Sequence, residues 1–163
     1  MSRSITTSVS FEVEHVRIES ARSIDVVRLA FEAIVPQRDT VVSDALEGAD
    51  EERVEHERRH GPKLALFLTR NHGRLLAIYG HAREAYQYEI GNPITAASMT
   101  RHRLAACLYA PLRVALYEDD HGLGVFEYDR PSSLFGQFGD VRVMEVAREL
   151  DESLEDILEC AAG

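Results

Sequence analysis

Between Asp140 and Cys160 the apolar residues Val143, Ala147, Leu150, Leu154, Ile157 and Ala161 recur every three or four positions, and this stripe constrains the fold more than any other feature of the chain. The spacing predicts a long helix with one buried face, and Asp140 stands where an N-cap carboxylate would close its first turn. A helix of this kind needs a surface to lie on, and the preceding residues supply strands.

Leu112, Val114 and Leu116 alternate with Arg113, Ala115 and Tyr117, the turn Asp119-Asp120-His121-Gly122 follows, and Val125-Phe126-Glu127-Tyr128 resumes the pattern. That order predicts a hairpin, with Arg113, Ala115 and Tyr117 on the sheet face opposite Leu112, Val114 and Leu116. Leu64 to Thr69 is an apolar run of strand length, and Leu75 to Tyr79 follows it across Asn71-His72-Gly73, which predicts a second hairpin. A further strand is expected over Tyr86 to Ile90, ended by Gly91-Asn92-Pro93, and a short helix beginning at Pro93 or Thr95. Near the start, Val9, Phe11 and Val13 share one parity and Val16 and Ile18 the other, which predicts a strand with a register change at His15. Ser23 then precedes Val26, Val27, Ala30, Phe31 and Ile34 at helical spacing, with Pro36 as the stop.

The stretch from Asp44 to Arg59 is charged almost throughout and predicts a surface insertion at about 44–60, helical or partly ordered. The 163 residues fall within the usual range for one domain. Strand, helix, several strands and a final helix predict an α+β fold, an antiparallel sheet of about five to six strands with two long helices on one face.

The charge of −10, from 28 acidic against 18 basic residues, disfavours nucleic acid and anionic membrane surfaces as partners. No apolar run reaches the length of a membrane span, and the first residues lack a signal-peptide pattern, so a cytoplasmic location is expected. Cys107 and Cys160 match no metal or redox spacing and read as ordinary thiols, Cys107 as a core residue among apolar neighbours. No cofactor motif is present.

The segments YEIGNPITAASMTRH (Tyr88 to His102), LYAPLRVALYED (Leu108 to Asp119) and YDRPSSLFGQFGD (Tyr128 to Asp140) resemble the family known as domain of unknown function 302. Asn92-Pro93 before a short helix, Pro111 ahead of the strand, and Pro131 before the last helix carry the resemblance, whereas the charged stretch has no clear place in it. The resemblance implies a TATA-box-binding-protein-like fold and a homodimer, and it implies no reaction. Likeness to a DNA-binding fold is no warrant for DNA binding, since function resides in the site.

Arg101 and His102, at the end of the short helix, pair a guanidinium able to grip a carboxylate or phosphate with a group that titrates near neutrality. They are the candidate anchors for a small anionic ligand; the plainer reading is an interaction with the negative end of their own helix. Tyr88, Glu89 and Asn92 would join them if the strand end faces the same cavity, with Tyr117 and Tyr128 as aromatic walls. Arg113 and Tyr117 fit a dimer contact equally well. Glu52, His56 and His60 share one helical face and form a weaker metal candidate, against which stands a solvated charged surface. The run from Ser132 to Gly139 reads as turn chemistry, with Gly136 and Gly139 able to take positive φ; a phosphate loop is the sharper alternative, opposed by Asp140 and the absence of a lysine. The leading functional expectation is a non-enzymatic, homodimeric small-ligand-binding protein. An interaction module without a ligand, and a histidine- or metal-dependent hydrolase, are the alternatives.

Overall fold

The computed structural model describes residues 4–38, 48 and 51–163. An antiparallel sheet of five strands, β1 (His15–Ser23), β2 (Ala65–Asn71), β3 (Ala85–Gly91), β4 (Leu112–Glu118) and β5 (Leu123–Asp129), runs in the order β1-β5-β4-β3-β2. Helices α1 (Ile24–Ile34) and α6 (Val141–Ala162) pack on one face of it, as expected of the α+β pattern. Between the strands lie α2 (Glu51–His60), α3 (Gly73–Leu76) and α4 (Pro93–Thr100), and α5 (Pro131–Phe135) joins β5 to α6.

The stripe predicted for the last helix is the buried face of α6, with Val143, Ala147, Leu150, Leu154 and Ala161 buried, except that Ile157 is only partly buried and Leu158 is buried beside it. Asp140 caps it, accepting a hydrogen bond from the Arg142 amide at 3.0 Å. At the far end the Ser20 hydroxyl donates to the Ala162 carbonyl at 2.6 Å, tying the helix to β1. Helix α1 buries Ile24, Val27 and Phe31, a narrower face than its spacing suggested, since Val26 and Ile34 are exposed. It crosses β5 closely at Gly124, where a Cβ would stand 2.8 Å from Val27 Cγ2. Phe31 meets Tyr88 and Phe126 with ring centroids 4.8 and 5.5 Å apart, forming the aromatic centre of the core.

The β4–β5 hairpin is the one predicted, with Val114 opposite Tyr128 and Leu116 opposite Phe126. Its turn is held by the Asp119 carboxylate, which accepts from the amides of His121 and Leu123 at 2.8 and 2.9 Å.

Two local expectations are overturned. Leu75 to Tyr79 is not a strand: it lies in α3 and a following 3-10 turn, and β2 pairs instead with β3, Leu66 opposite Ile90. Gly73 is no hairpin turn residue but a buried point of close approach, where a Cβ would collide with the Arg83 carbonyl oxygen; the His72 amide donates to the Ala85 carbonyl at 2.8 Å and closes the connection there. Leu75, Ile78 and Tyr79 are exposed, so no second apolar face exists for a strand to bury. The first strand likewise begins only at His15, and Val9, Phe11 and Val13 precede it as exposed chain outside any strand. That leading segment is fastened by Glu14, whose amide donates to Ser133 Oγ at 3.0 Å and whose carbonyl accepts from the Arg130 amide at 2.8 Å.

The second half of the charged stretch is α2, with half-buried Glu55 bridged to exposed Arg59 at 2.7 Å. Its first half, apart from Gly48, lies outside the described residues.

Candidate functional site

Strand β3 ends at Gly91, and the next residue turns the chain directly into α4. The Asn92 side-chain oxygen accepts from the amides of Ile94 and Thr95 at 2.8 and 3.3 Å, its amide group donates to the Pro62 carbonyl at 3.0 Å, and Pro93 occupies the first helical position. This cap holds α4 off the end of the sheet. The chain returns through a 3-10 segment, Leu104–Tyr109, and passes Pro111 to enter β4 at Leu112.

The space left between these pieces is an apolar cavity of about 350 Å³. Phe67, Pro111 and Leu112 form its sheet wall, Met99 and Ala96 its α4 wall, and Phe135 and Leu150 its floor. Among the described residues no charged side chain lines it; the Thr95 and Thr100 hydroxyls, the Asn92 amide and the Cys107 thiol are its polar side-chain groups. Cys107 is therefore an exposed residue of the cavity wall, not the core cysteine its neighbours suggested. A space of this size and lining suits an apolar group better than water, which would find few hydrogen-bond partners.

A second, wider hollow of about 800 Å³ lies against α4 and shares Pro93, Thr95 and Ala97 with the cavity. Arg38, Arg58 and Arg101 line it, brought from the end of the α1 connection, from α2 and from the end of α4. The Arg38 guanidinium carbon sits 4.5 Å above the Phe67 ring centre, and its Nε is buried without a hydrogen-bond partner among the described residues. Arg101 Nε donates to His102 Nε2 at 3.1 Å.

The open face of the sheet carries a polar network. His15 Nδ1 is 2.9 Å from Asp129 and Nε2 is 3.1 Å from Glu127, while the Tyr117 hydroxyl donates to the other Glu127 oxygen at 2.5 Å. The hydrogen bond to Asp129, then that to Glu127, raises the His15 pKa above its ordinary value. The Tyr117 hydroxyl leads the contacts that hold the Glu127 carboxyl below its usual range. Farther along the face Arg70 bridges Glu89 at 2.5 Å, and Arg113 is exposed.

The residues singled out in the sequence therefore do not form one site. Arg101 lines the arginine hollow, with His102 bonded beside it, and Asn92 serves both as helix cap and as part of the cavity wall. Glu89, Arg113 and Tyr117 occupy the open sheet face, as alternation predicted for the last two. Tyr88 and Tyr128 point the other way, into the helix-covered core. The Tyr88 hydroxyl donates to Glu32 at 2.9 Å, and burial pushes its pKa far up; burial also pushes Tyr128 up to about 12. Tyr88 therefore lies across the sheet from Arg113 and Tyr117, whereas Tyr128, its side chain buried, still borders the open-face hollow that both line.

His56 and His60 do stack, ring centres 4.7 Å apart, with His60 Nδ1 3.1 Å from the His56 carbonyl. Among the described residues no group of three or more His, Cys, Asp and Glu side chains is placed to hold a metal ion. The run before α6 forms α5 and a 3-10 turn; Gly139 has φ 60°, Gly136 is right-handed, and the start of α6 is occupied by the Asp140 carboxylate, as the turn-chemistry reading has it. The Arg142 side chain holds that carboxyl well below its usual range. Arg38, Arg58 and Phe67 were not singled out in the sequence, and Cys107 was read there only as an ordinary core thiol. They come from four separate segments, and no spacing rule joins them.

A family model described as "Domain of unknown function DUF302" matches residues 52–161, from within α2 almost to the end of α6, and so takes in much of the charged stretch that the resemblance left without a place. An uncharacterised conserved DUF302 protein from Bacillus stearothermophilus has a similar crystal structure, with a TM-score of 0.65 at 15% identity, covering 90% of this chain and 97% of that one. No curated protein matches the chain significantly. Among the described residues no helix is long and apolar enough to cross a membrane.

Proposed function

We propose that this chain, which belongs to the family Domain of unknown function DUF302, is a small-ligand-binding domain whose ligand enters the cavity between α4, the sheet end and α6. The observation that supports this reading is the cavity itself: about 350 Å³ of apolar space, walled on one side by the helix that Asn92-Pro93 starts and on another by Pro111. Its lining offers shape and apolar contact, with no carboxylate, imidazole or amine among the described residues to move a proton. Recognition therefore fits it better than hydrolysis.

Calorimetric titration with 1-octanol tests the reading. The expected result is saturable one-site binding that slows maleimide labelling of Cys107 in a Cys160→Ser background, and that is lost in Ala96→Phe, a variant that fills the cavity from its α4 wall. Absence of saturable binding, or binding unchanged in a folded Ala96→Phe protein, would refute it.

The homodimer implied by the family resemblance stands as a proposal beside this one. Exposed Leu104 and Leu108, four residues apart on the 3-10 segment at 82% and 74% accessibility, favour it. Light scattering is expected to give twice the chain mass for the natural protein and the single mass for Leu104→Glu/Leu108→Glu. A monomer at every concentration removes the proposal.

A further inference from the structure

We infer that the ligand is an amphipathic organic acid, its alkyl part in the apolar cavity and its anionic head on Arg38, Arg58 and Arg101; the inference rests on the cavity reading above. The two spaces share Pro93, Thr95 and Ala97 as a common wall, so a molecule of modest length passing α4 would touch both. Arg38 joins them physically. Its guanidinium carbon lies over Phe67, which lines the cavity, while the same side chain lines the hollow.

Three arginines with little internal carboxylate pairing meet in this one hollow. In a chain of net charge −10, arginines are expected beside carboxylates, as Arg70, Arg130 and Arg142 are. Within the described residues Arg38 and Arg101 have no carboxylate partner within salt-bridge distance, and Arg58 reaches only its own helix neighbour Glu55, at 3.4 Å. Arg38 Nε is buried and has no hydrogen-bond partner among the described residues, which costs free energy unless an acceptor joins it. The first free amides of α4 are already taken by Asn92, so the guanidinium groups are what remain to hold an anion. Their planar forks match a carboxylate; partial burial strengthens the charge-assisted hydrogen bond of Arg38, while Arg58 and Arg101 reach in from exposed positions. The negative field of the rest of the chain makes the hollow a short-range recognition site, not a long-range attractor.

Octanoate and 1-octanol, titrated separately into the natural protein and into Arg38→Gln, Arg101→Gln and Ala96→Phe, separate the head from the tail. Octanoate is expected to bind about tenfold more tightly than octanol, the size of one good charge-assisted hydrogen bond. Either arginine variant should bring octanoate down towards octanol while leaving octanol unchanged, and added salt should weaken octanoate alone. Ala96→Phe should abolish both. If octanol binds as well as octanoate, or if the arginine variants weaken both equally, the anionic head is wrong and the cavity reading survives. If neither molecule binds, both readings fall.

Discussion

On the helix-covered face of the sheet Val114, Leu116 and Phe126 are buried beneath α1 and α6, while one residue along the same strands Arg113, Ala115 and Glu127 look out from the other face. The backbone ladder is common to both, so the difference lies in the side chains alone. On the covered face stability comes from apolar area and close packing, where even Gly124 is matched to the overlying Val27. On the open face His15, Tyr117, Glu127 and Asp129 satisfy one another in the presence of water, an arrangement that gives register and pH response but little net stability. Val125 is the exception, an apolar residue buried on the open side and paired in register with Tyr117 and Glu19.

Substitutions on the covered face break this contrast hardest. Phe126→Ala is expected to lower unfolding free energy by about 3–5 kcal/mol, and Gly124→Ala by about 1–3 kcal/mol through the clash with Val27, both read from urea unfolding midpoints. A loss below about 1 kcal/mol for Phe126→Ala would mean that the aromatic centre is not where the core is held.

The open face should respond to pH instead. Because the folded state raises the His15 pKa, protonation stabilises it: the contribution is complete below the unfolded value of about 6.5 and disappears as pH rises through the folded value. His15 is 56% exposed, so the change is expected to stay under about 1 kcal/mol. Denaturation midpoints measured either side of that interval in the natural protein and in His15→Asn should differ in slope. Equal slopes would show that the pairing with Asp129 and Glu127 has no energetic content.

How much of this could be read from the sequence depends on how far apart the cooperating residues lie. The α6 stripe and the β4–β5 hairpin were legible because their signals are local, a period of three to four residues in one and alternation about Asp119 to Gly122 in the other. Leu75 to Tyr79 was misread because a short apolar run has no period of its own; only the packing of Gly73 against Arg83 decides that the chain coils there. Tyr88 and Tyr128 look like site residues in a list and are core residues in space, since strand parity sends them under the helices. At the site itself Asn92 and Arg101 were visible next to the family-like motif. Arg38, Arg58 and Phe67 gain their role from tertiary approach, and the Arg38 contact with Phe67 is one that no helical or strand repeat encodes.

The strand order has a consequence in time. β1 is the first strand made, yet its partner is the last: His15 bonds to Asp129, 114 positions along the chain. Until β5 has been synthesised, β1 has no ladder to join and α1 no Gly124 to cross, so Val27 and Phe31 await their cover while the middle of the sheet is being assembled. Closure of the whole is a long-range event, governed by the entropy of bringing distant segments together more than by any local preference for helix or strand.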